Sequence, residues 1–176
     1  DDSSGEISTE ESTVLLEAVK RQLENETYRF YAGTSYRHCL IWSQGEVKEL
    51  SQPHDVLGQV IEPYLPEDKN LLYMMKKSYE ILVNHPVNRE RKKKGLNPAN
   101  CCWFWGAGKK PSLSSFEEKY HLKGMMVSAV DLLKGIAAGT GMSTARVEGA
   151  NGGLDTNYEG KTAAALHALQ EGYDFV

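Results

Sequence analysis

The sequence has no apolar stretch approaching the roughly 20 residues that a membrane-spanning helix needs. Its first residues, Asp-Asp-Ser-Ser-Gly-Glu, also lack the basic and apolar regions of a secretory signal. Twenty Lys and Arg residues stand against 24 Asp and Glu residues, so the chain lacks the positive charge typical of proteins that bind nucleic acids or anionic membranes. We therefore expect a cytoplasmic protein with neither a nucleic-acid nor a membrane partner.

Cysteine and histidine are also scarce. The three cysteines, of which Cys101 and Cys102 are adjacent, predict reduced and mostly packed thiols. The five histidines show no His-x-x-x-His spacing and the cysteines no Cys-x-x-Cys spacing, which argues against a metal site in this chain. Residues distant in sequence could still come together in the fold and form a metal site.

The residues that are present predict a globular α/β protein. Ser8-x-x-Glu11 has the spacing of a capped helix start, and apolar residues then recur on one helical face. Runs of β-forming residues predict neighbouring antiparallel strands, which are 28–32, 37–42 and 46–50.

After an irregular, proline-containing connection over 51–67, the spacing predicts a second amphipathic helix that ends near Pro86. Beyond it, strand patterns alternate with helix patterns, which favours a partly parallel sheet. The predicted strands are 101–105, 124–127 and 145–148; the predicted helices begin at caps Ser128 and Thr156. The predicted fold class is thus α/β, with a mixed β-sheet flanked by helices. The inserted domain within it is predicted to be α+β.

The two ends of the chain are unusual for a mature protein. The sequence begins without Met, and residues 173–176 look like the opening of a strand. We expect both ends to have been cut from a longer polypeptide, with proteolytic maturation as the alternative.

Two segments carry groups suited to anionic ligands. Arg37 and His38 at a strand start could clamp a phosphate or carboxylate, although a solvated surface pair has the same pattern. The segment 106–110, Gly-Ala-Gly-Lys-Lys, offers amides and ammonium groups but is not a Walker motif. The basic run 89–94 has no interleaved aromatics and predicts a solvated helix.

Seven strings, in the same order along the chain, resemble the central part of archaeal-type cofactor-independent phosphoglycerate mutases, members of the alkaline-phosphatase-like superfamily. They are SGEISTEE (4–11), SYRH (35–38), PHDVLG (53–58), NPAN (97–100), WGAGKKPSL (105–113), SAVDLLKGI (128–136) and LDTNYEGK (154–161).

The resemblance implies a parent enzyme that interconverts 3-phosphoglycerate and 2-phosphoglycerate through a phosphoserine, with two divalent ions, usually Mn, Zn or Mg. It implies that the nucleophile and the metal ligands lie outside these 176 residues, so that no cofactor is expected here. Many members of the family carry His at the position of Glu6. A glutamate there resembles the sequences of bacterial members proposed to be homoserine kinases. A homoserine-kinase-like phosphotransferase and a non-catalytic ligand-binding module are the alternatives.

The resemblance also implies that two parts of the chain have different roles. Residues 1–108 would form an inserted domain that covers a phosphorylated small-molecule substrate, and 109–176 part of the catalytic layer, packed against the remainder of the parent domain. Asp131 and Lys134 are also explained as a helix cap and a solvated lysine. The candidate substrate-binding residues are Glu6, Arg37, His38, Gly106, Gly108, Lys109, Asp131, Lys134 and Lys161.

Overall fold

A computed structural model of the protein describes residues 2–176. It divides into two compact units, Asp1–Lys109 and Lys110–Val176. The first contains α1 (Thr9–Leu23), β1 (Tyr28–Ala32), β2 (His38–Trp42), α2 (Lys69–Leu82) and α3 (Pro86–Lys93). The second contains α4 (Phe116–Tyr120), β3 (Met125–Val127), α5 (Asp131–Gly139), β4 (Ser143–Ala145) and α6 (Tyr158–Gln170).

The core of the first unit lies between α1, α2 and the β1–β2 hairpin. Helix α1 begins as predicted, because the Ser8 hydroxyl accepts a hydrogen bond from the Glu11 amide at 3.2 Å. Its buried residues recur at helical spacing and meet the apolar face of α2. The buried core residues are Ile7, Leu15, Leu16, Val19, Leu23, Phe30, Leu71, Met74 and Leu82.

Strands β1 and β2 form the predicted antiparallel pair, with Tyr28 opposite Trp42 and Ala32 opposite His38. The third strand predicted over 46–50 is wrong, since that segment is not part of a ladder. Its charged side chains bond locally instead: Lys48 contacts Glu46 at 2.8 Å. The hairpin is therefore a two-stranded sheet of its own.

The strand predicted over 101–105 is also wrong. There the segment is held by bonds between backbone and side-chain groups rather than by a neighbouring strand. The Cys102 amide donates to the Ser78 hydroxyl at 2.9 Å, and the Trp103 indole donates to the Ser51 carbonyl at 2.8 Å. A β-forming sequence makes a strand only where a partner strand is available.

In the second unit, β3 and β4 pair in parallel, with Met125 opposite Ser143. Helices α5 and α6 pack on these strands through Ala137 and Ala168, which are buried. The predicted terminal strand is reduced to one parallel bridge, between Gly124 and Phe175. The strand predicted over 145–148 lies instead at 143–145.

The residues that precede helices α5 and α6 of this unit differ by one or two positions from the predicted caps. Asn157, rather than Thr156, caps α6 by accepting the Gly160 amide at 2.8 Å. Ser128 accepts the amide of Val130 at 3.0 Å and so closes a turn before α5 rather than capping it. Sequence patterns locate helix starts to within a few residues, because neighbouring polar side chains compete for the same amides.

The α/β fold class is confirmed, with the strands divided between one antiparallel and one parallel sheet. The expectation of mostly packed cysteines is wrong, because Cys39 and Cys101 are exposed. Burial raises the pKa of the Cys102 thiol to about 12. The sulfur of Cys101 contacts the Met75 carbonyl at 3.3 Å, and its partial burial raises the pKa of that thiol as well. Within residues 2–176, no helix is both long and apolar enough to span a bilayer.

Candidate functional site

A buried arginine organises one face of the first unit. Arg91 lies on α3 and is only 3% exposed, which corrects the prediction that the whole basic run is solvated. Its Nη2 donates to the Ser4 carbonyl at 2.6 Å and its Nε to the Asn97 carbonyl at 2.8 Å. Its Nη1 pairs with the Glu11 carboxylate. One planar guanidinium thus joins the chain start, α1 and the 97–100 segment.

Asn88 lies one turn before Arg91 on the same face of α3 and is 0% exposed. Its Nδ2 donates to the carbonyls of Leu82 and Ala99, both at 2.8 Å, and its Oδ1 accepts the Ala99 amide at 3.0 Å. The two side chains together fix the 97–100 segment. No buried side-chain nitrogen or oxygen lacks a partner in the described part of the chain.

Glu6 ends a left-handed turn. Ser4, Gly5 and Glu6 have φ angles of 52°, 66° and 53°, and the Ile7 amide donates to the Ser3 carbonyl at 3.1 Å. A residue with a Cβ costs roughly 1 to 2 kcal/mol in this conformation. The turn persists because Arg91 bonds to Ser4 and because Ile7 is buried. The Glu6 side chain is left exposed at the surface.

The turn adjoins the segment that carries Arg37. The Ser35 hydroxyl donates to the Ile7 carbonyl at 2.5 Å, and the Ser35 amide donates to the Thr9 hydroxyl at 3.0 Å. The Arg37 guanidinium lies 4.2 Å from the centre of the Tyr36 ring and donates to its hydroxyl at 2.7 Å. Arg37 is therefore exposed but held, which lowers the entropy cost of binding an anion.

His38 follows at the start of β2, where its Nδ1 accepts the Gly33 amide at 3.3 Å. Partial desolvation of the ring lowers the pKa of His38, although the residue as a whole is exposed. The neutral ring is thus favoured at neutral pH, so His38 is suited to hydrogen bonding rather than to charge pairing. Glu6, Arg37 and His38 lie on two segments that the structure brings together.

Lys109 is not joined to this group by any described contact. The pKa of Glu46 is lowered chiefly by its hydrogen bond from Lys48, with a smaller effect from Lys109, which places Lys109 near 46–48. Gly106 has a φ of 64°, a conformation that favours glycine over residues with a side chain. Gly108 has an ordinary φ and open space where a side chain would be. Trp105 beside them packs edge-on against His54, with ring centres 5.3 Å apart.

The remaining candidates lie in the second unit. Asp131 is the first residue of α5, and Lys134 pairs with it at 3.7 Å, one turn along the same helix. Lys161 lies in the first turn of α6, where its amide donates to the Asn157 carbonyl at 3.1 Å. The first two therefore form a surface ion pair, which typically contributes less than about 1 kcal/mol.

The residues described do not form a zinc site of the kind that the resemblance implies for the parent enzyme. Among residues 2–176, no three His, Cys, Asp or Glu side chains come together in a group that could hold one. Zinc sites have at least that many protein ligands.

The sequence reasoning missed Arg91 and Asn88. Their spacing of three on a short helix was a signal, because it places both on one face. A proline at the start of α3 and the apolar Val87 within it pointed to a packed helix rather than a solvated one.

Comparison with known proteins identifies the family. The family model described as 2,3-bisphosphoglycerate-independent phosphoglycerate mutase matches residues 1–88. The chain belongs to this family. The matched half includes Glu6, Arg37, His38 and Asn88, while Arg91 lies just beyond it.

Named relatives extend the similarity over the whole chain. The phosphoglycerate mutase of Methanosarcina barkeri is 47% identical over 175 residues, which cover 97% of this chain and 44% of the relative. The phosphoglycerate mutase 2 of Methanothermobacter thermautotrophicus is 38% identical and is matched over 100% of this chain and 45% of its own. The chain thus spans less than half the length of the curated relatives that it matches.

Solved structures agree with this assignment. A Pyrococcus horikoshii protein superposes with a TM-score of 0.68 at 25% identity, covering 98% of this chain and 42% of that one. The cofactor-independent phosphoglycerate mutase from Thermoplasma acidophilum superposes with a TM-score of 0.52 at 29% identity, covering 94% and 46%. Members of the mutase family therefore share both the sequence and the fold of this segment.

Proposed function

We propose that this chain is a segment of a phosphoglycerate mutase that interconverts 3-phosphoglycerate and 2-phosphoglycerate, a cytoplasmic step of glycolysis. Residues 1–108 would be its inserted substrate-covering domain and residues 109–176 part of its catalytic layer. The observation that carries the proposal is the 47% identity to a named mutase over 97% of the chain. Residues outside this segment would supply the serine nucleophile and the ligands of a divalent metal, Mn, Zn or Mg, which would stabilise the charge of the transferred phosphoryl group.

In this proposal Arg37, His38 and Lys109 hold the anionic groups of the substrate. Arg37 is exposed and oriented by Tyr36, as a residue that recognises a carboxylate or phosphate should be. The segment Gly106–Gly108 supplies backbone amides. Asp131, Lys134 and Lys161 belong to the catalytic layer. In the longer polypeptide, the inserted domain 1–108 closes over the metal site and excludes water.

The first test uses the 176-residue chain. Supplied with 3-phosphoglycerate and manganese in an assay coupled to consumption of 2-phosphoglycerate, it should show no turnover, because the proposed nucleophile and metal ligands lie outside it. Turnover proportional to protein and retained after repurification would contradict this part of the proposal.

The second test uses the longer polypeptide that carries this segment. A lost charged contact to substrate costs about 2 to 5 kcal/mol, so Arg37→Ala and Lys109→Ala should each lower kcat/KM by roughly 30-fold or more. Arg29→Ala and Lys76→Ala, which remove exposed cations elsewhere in the unit, serve as matched controls and should change kcat/KM little. Wild-type kinetics for both test variants would remove Arg37 and Lys109 from the site.

One observation favours a second candidate, a homoserine-kinase-like phosphotransferase. Glu6 is exposed, and its neighbour Ile7 is bonded to the segment that carries Arg37. A carboxylate pairs with an ammonium group, which homoserine has and phosphoglycerate lacks. The longer polypeptide should then phosphorylate homoserine from ATP faster than it isomerises phosphoglycerate. Assaying both reactions on one preparation decides between the two candidates.

A further inference from the structure

We propose that Arg91 is a positioning residue that fixes Glu6 and Arg37 relative to each other, so that both act on one ligand. Arg91 itself is buried and does not contact substrate. The ligand part of the inference rests on the function proposed above, while its positioning part does not.

The coupling runs through a short series of hydrogen bonds. Arg91 bonds to the Ser4 carbonyl and thereby holds the left-handed turn that ends at Glu6. The next residue, Ile7, accepts the Ser35 hydroxyl at 2.5 Å. Ser35 itself has a φ of 56° and lies two residues before Arg37. Two strained segments are thus bonded to each other and anchored by one guanidinium.

Strain of this kind persists only where the surroundings impose it, and it clusters at functional sites. Here the strained turn displays a carboxylate, and the strained Ser35 precedes a cation. A phosphorylated hydroxy acid offers complementary groups: anionic oxygens for Arg37 and a hydroxyl donor for Glu6. A fixed separation between the two residues would select ligands in which these groups are correctly spaced.

A lysine cannot reproduce the several separate donor nitrogens of the planar guanidinium. Arg91 uses three different nitrogens for Ser4, Asn97 and Glu11. An ammonium is a single point of charge, so Arg91→Lys can keep the ion pair with Glu11 but cannot reach both carbonyls. This variant therefore releases the turn while the buried position keeps its charge. Arg89→Lys, on the exposed side of the same helix, is the matched control.

The test is nuclear magnetic resonance on the 176-residue chain, with 3-phosphoglycerate as the probe ligand. In Arg91→Lys we expect altered backbone couplings over residues 4–6 and shifted signals for the Glu6 carboxyl carbon and the Arg37 Nε. We expect the Kd for 3-phosphoglycerate to rise about fivefold or more, within the usual range of coupling between sites. Arg89→Lys should leave every signal and the Kd unchanged.

Ser35→Ala removes the hydrogen bond from the Ser35 hydroxyl to the Ile7 carbonyl without changing Arg91. It should shift the Arg37 signal and raise the Kd in the same direction, while the couplings over residues 4–6 stay as in the wild type. If Arg91→Lys fails to fold by circular dichroism, Ser35→Ala decides alone: unchanged Arg37 signals would overturn the proposal.

The outcomes separate positioning from a merely structural role. A structural role predicts that Arg91→Lys lowers the melting temperature while the Glu6 and Arg37 signals and the Kd of the folded chain stay unchanged, which would overturn the proposal. If the wild-type chain does not bind 3-phosphoglycerate, the proposed substrate contact fails. The Glu6 and Arg37 signals then still decide whether Arg91 positions them.

Discussion

Replacing Asn88 tests whether the buried polar contacts of α3 stabilise the first unit. Asn88→Ala removes three hydrogen bonds to the backbone, at 2.8, 2.8 and 3.0 Å, from a residue that is 0% exposed. Each net bond contributes about 1 kcal/mol, and a buried group left unpaired costs more. The Leu82 carbonyl keeps its bond from His85, but the amide and carbonyl of Ala99 lose theirs.

We therefore expect Asn88→Ala to lower the free energy of unfolding by about 2 to 4 kcal/mol. This is a large fraction of the roughly 5 to 15 kcal/mol that stabilises an ordinary domain. Asn88→Asp should be at least as damaging. It keeps the shape but replaces the donor with an oxygen that faces the carbonyls of Leu82 and Ala99.

Urea denaturation followed by tryptophan fluorescence measures this effect in the right unit, because all three tryptophans, Trp42, Trp103 and Trp105, lie within Asp1–Lys109. The matched control is Asn100→Ala, an exposed asparagine in the segment that Asn88 fixes, which should change stability by less than about 0.5 kcal/mol. A loss below about 1 kcal/mol for Asn88→Ala would refute the argument that the contacts are buried and paired.

Three further predictions concern protonation, thiol reactivity and packing. Because the folded-state pKa of His38 is lowered by desolvation, its contribution to stability should be complete above the unfolded value of about 6.5 and decline as pH falls below it; His38→Gln should flatten that part of a stability–pH curve. Iodoacetamide should label exposed Cys39 first and Cys102 last, because burial raises the pKa of Cys102 to about 12; mass spectrometry of labelled peptides reads the order. Gly124→Ala places a methyl 2.7 Å from the flexible end of Met142 and 3.1 Å from the Phe116 ring, which must give way, and should cost about 1 kcal/mol in thermal denaturation followed by circular dichroism. Gly135→Ala, in open space within α5, should instead stabilise by about 0.5 to 1 kcal/mol.

The elements that the sequence predicted well are those set by local spacing. Helix α1, its Ser8 cap and the β1–β2 pairing follow from residues at most about fifteen apart along the chain, so patterning alone locates them. The failed strands over 46–50 and 101–105 had the right composition but no partner. Strand formation depends on a neighbour, and no local pattern contains that information.

The candidate site divides in the same way. Arg37 and His38 were predicted from residue type and resemblance, and the structure bonds their segment, through Ser35, to Ile7, the residue after Glu6. The partners of Arg91 could not be predicted, because Ser4 and Glu11 lie 87 and 80 positions away along the chain. The left-handed turn was equally hidden, since only Gly5 of its three residues favours positive φ.

The contact between Arg91 and Ser4 also has a kinetic meaning. Bringing together residues 87 positions apart in an unfolded chain costs roughly 4 kcal/mol of chain entropy. Packing α1 against α3 closes most of this loop in advance, so we expect the contact with Ser4 to form after that packing. Substitutions at Arg91 should accordingly speed unfolding rather than slow folding. We therefore expect the turn that carries Glu6 to form late in folding and to open early in unfolding. Hydrogen exchange at the Ile7 amide, which bonds to the Ser3 carbonyl, would follow its opening directly.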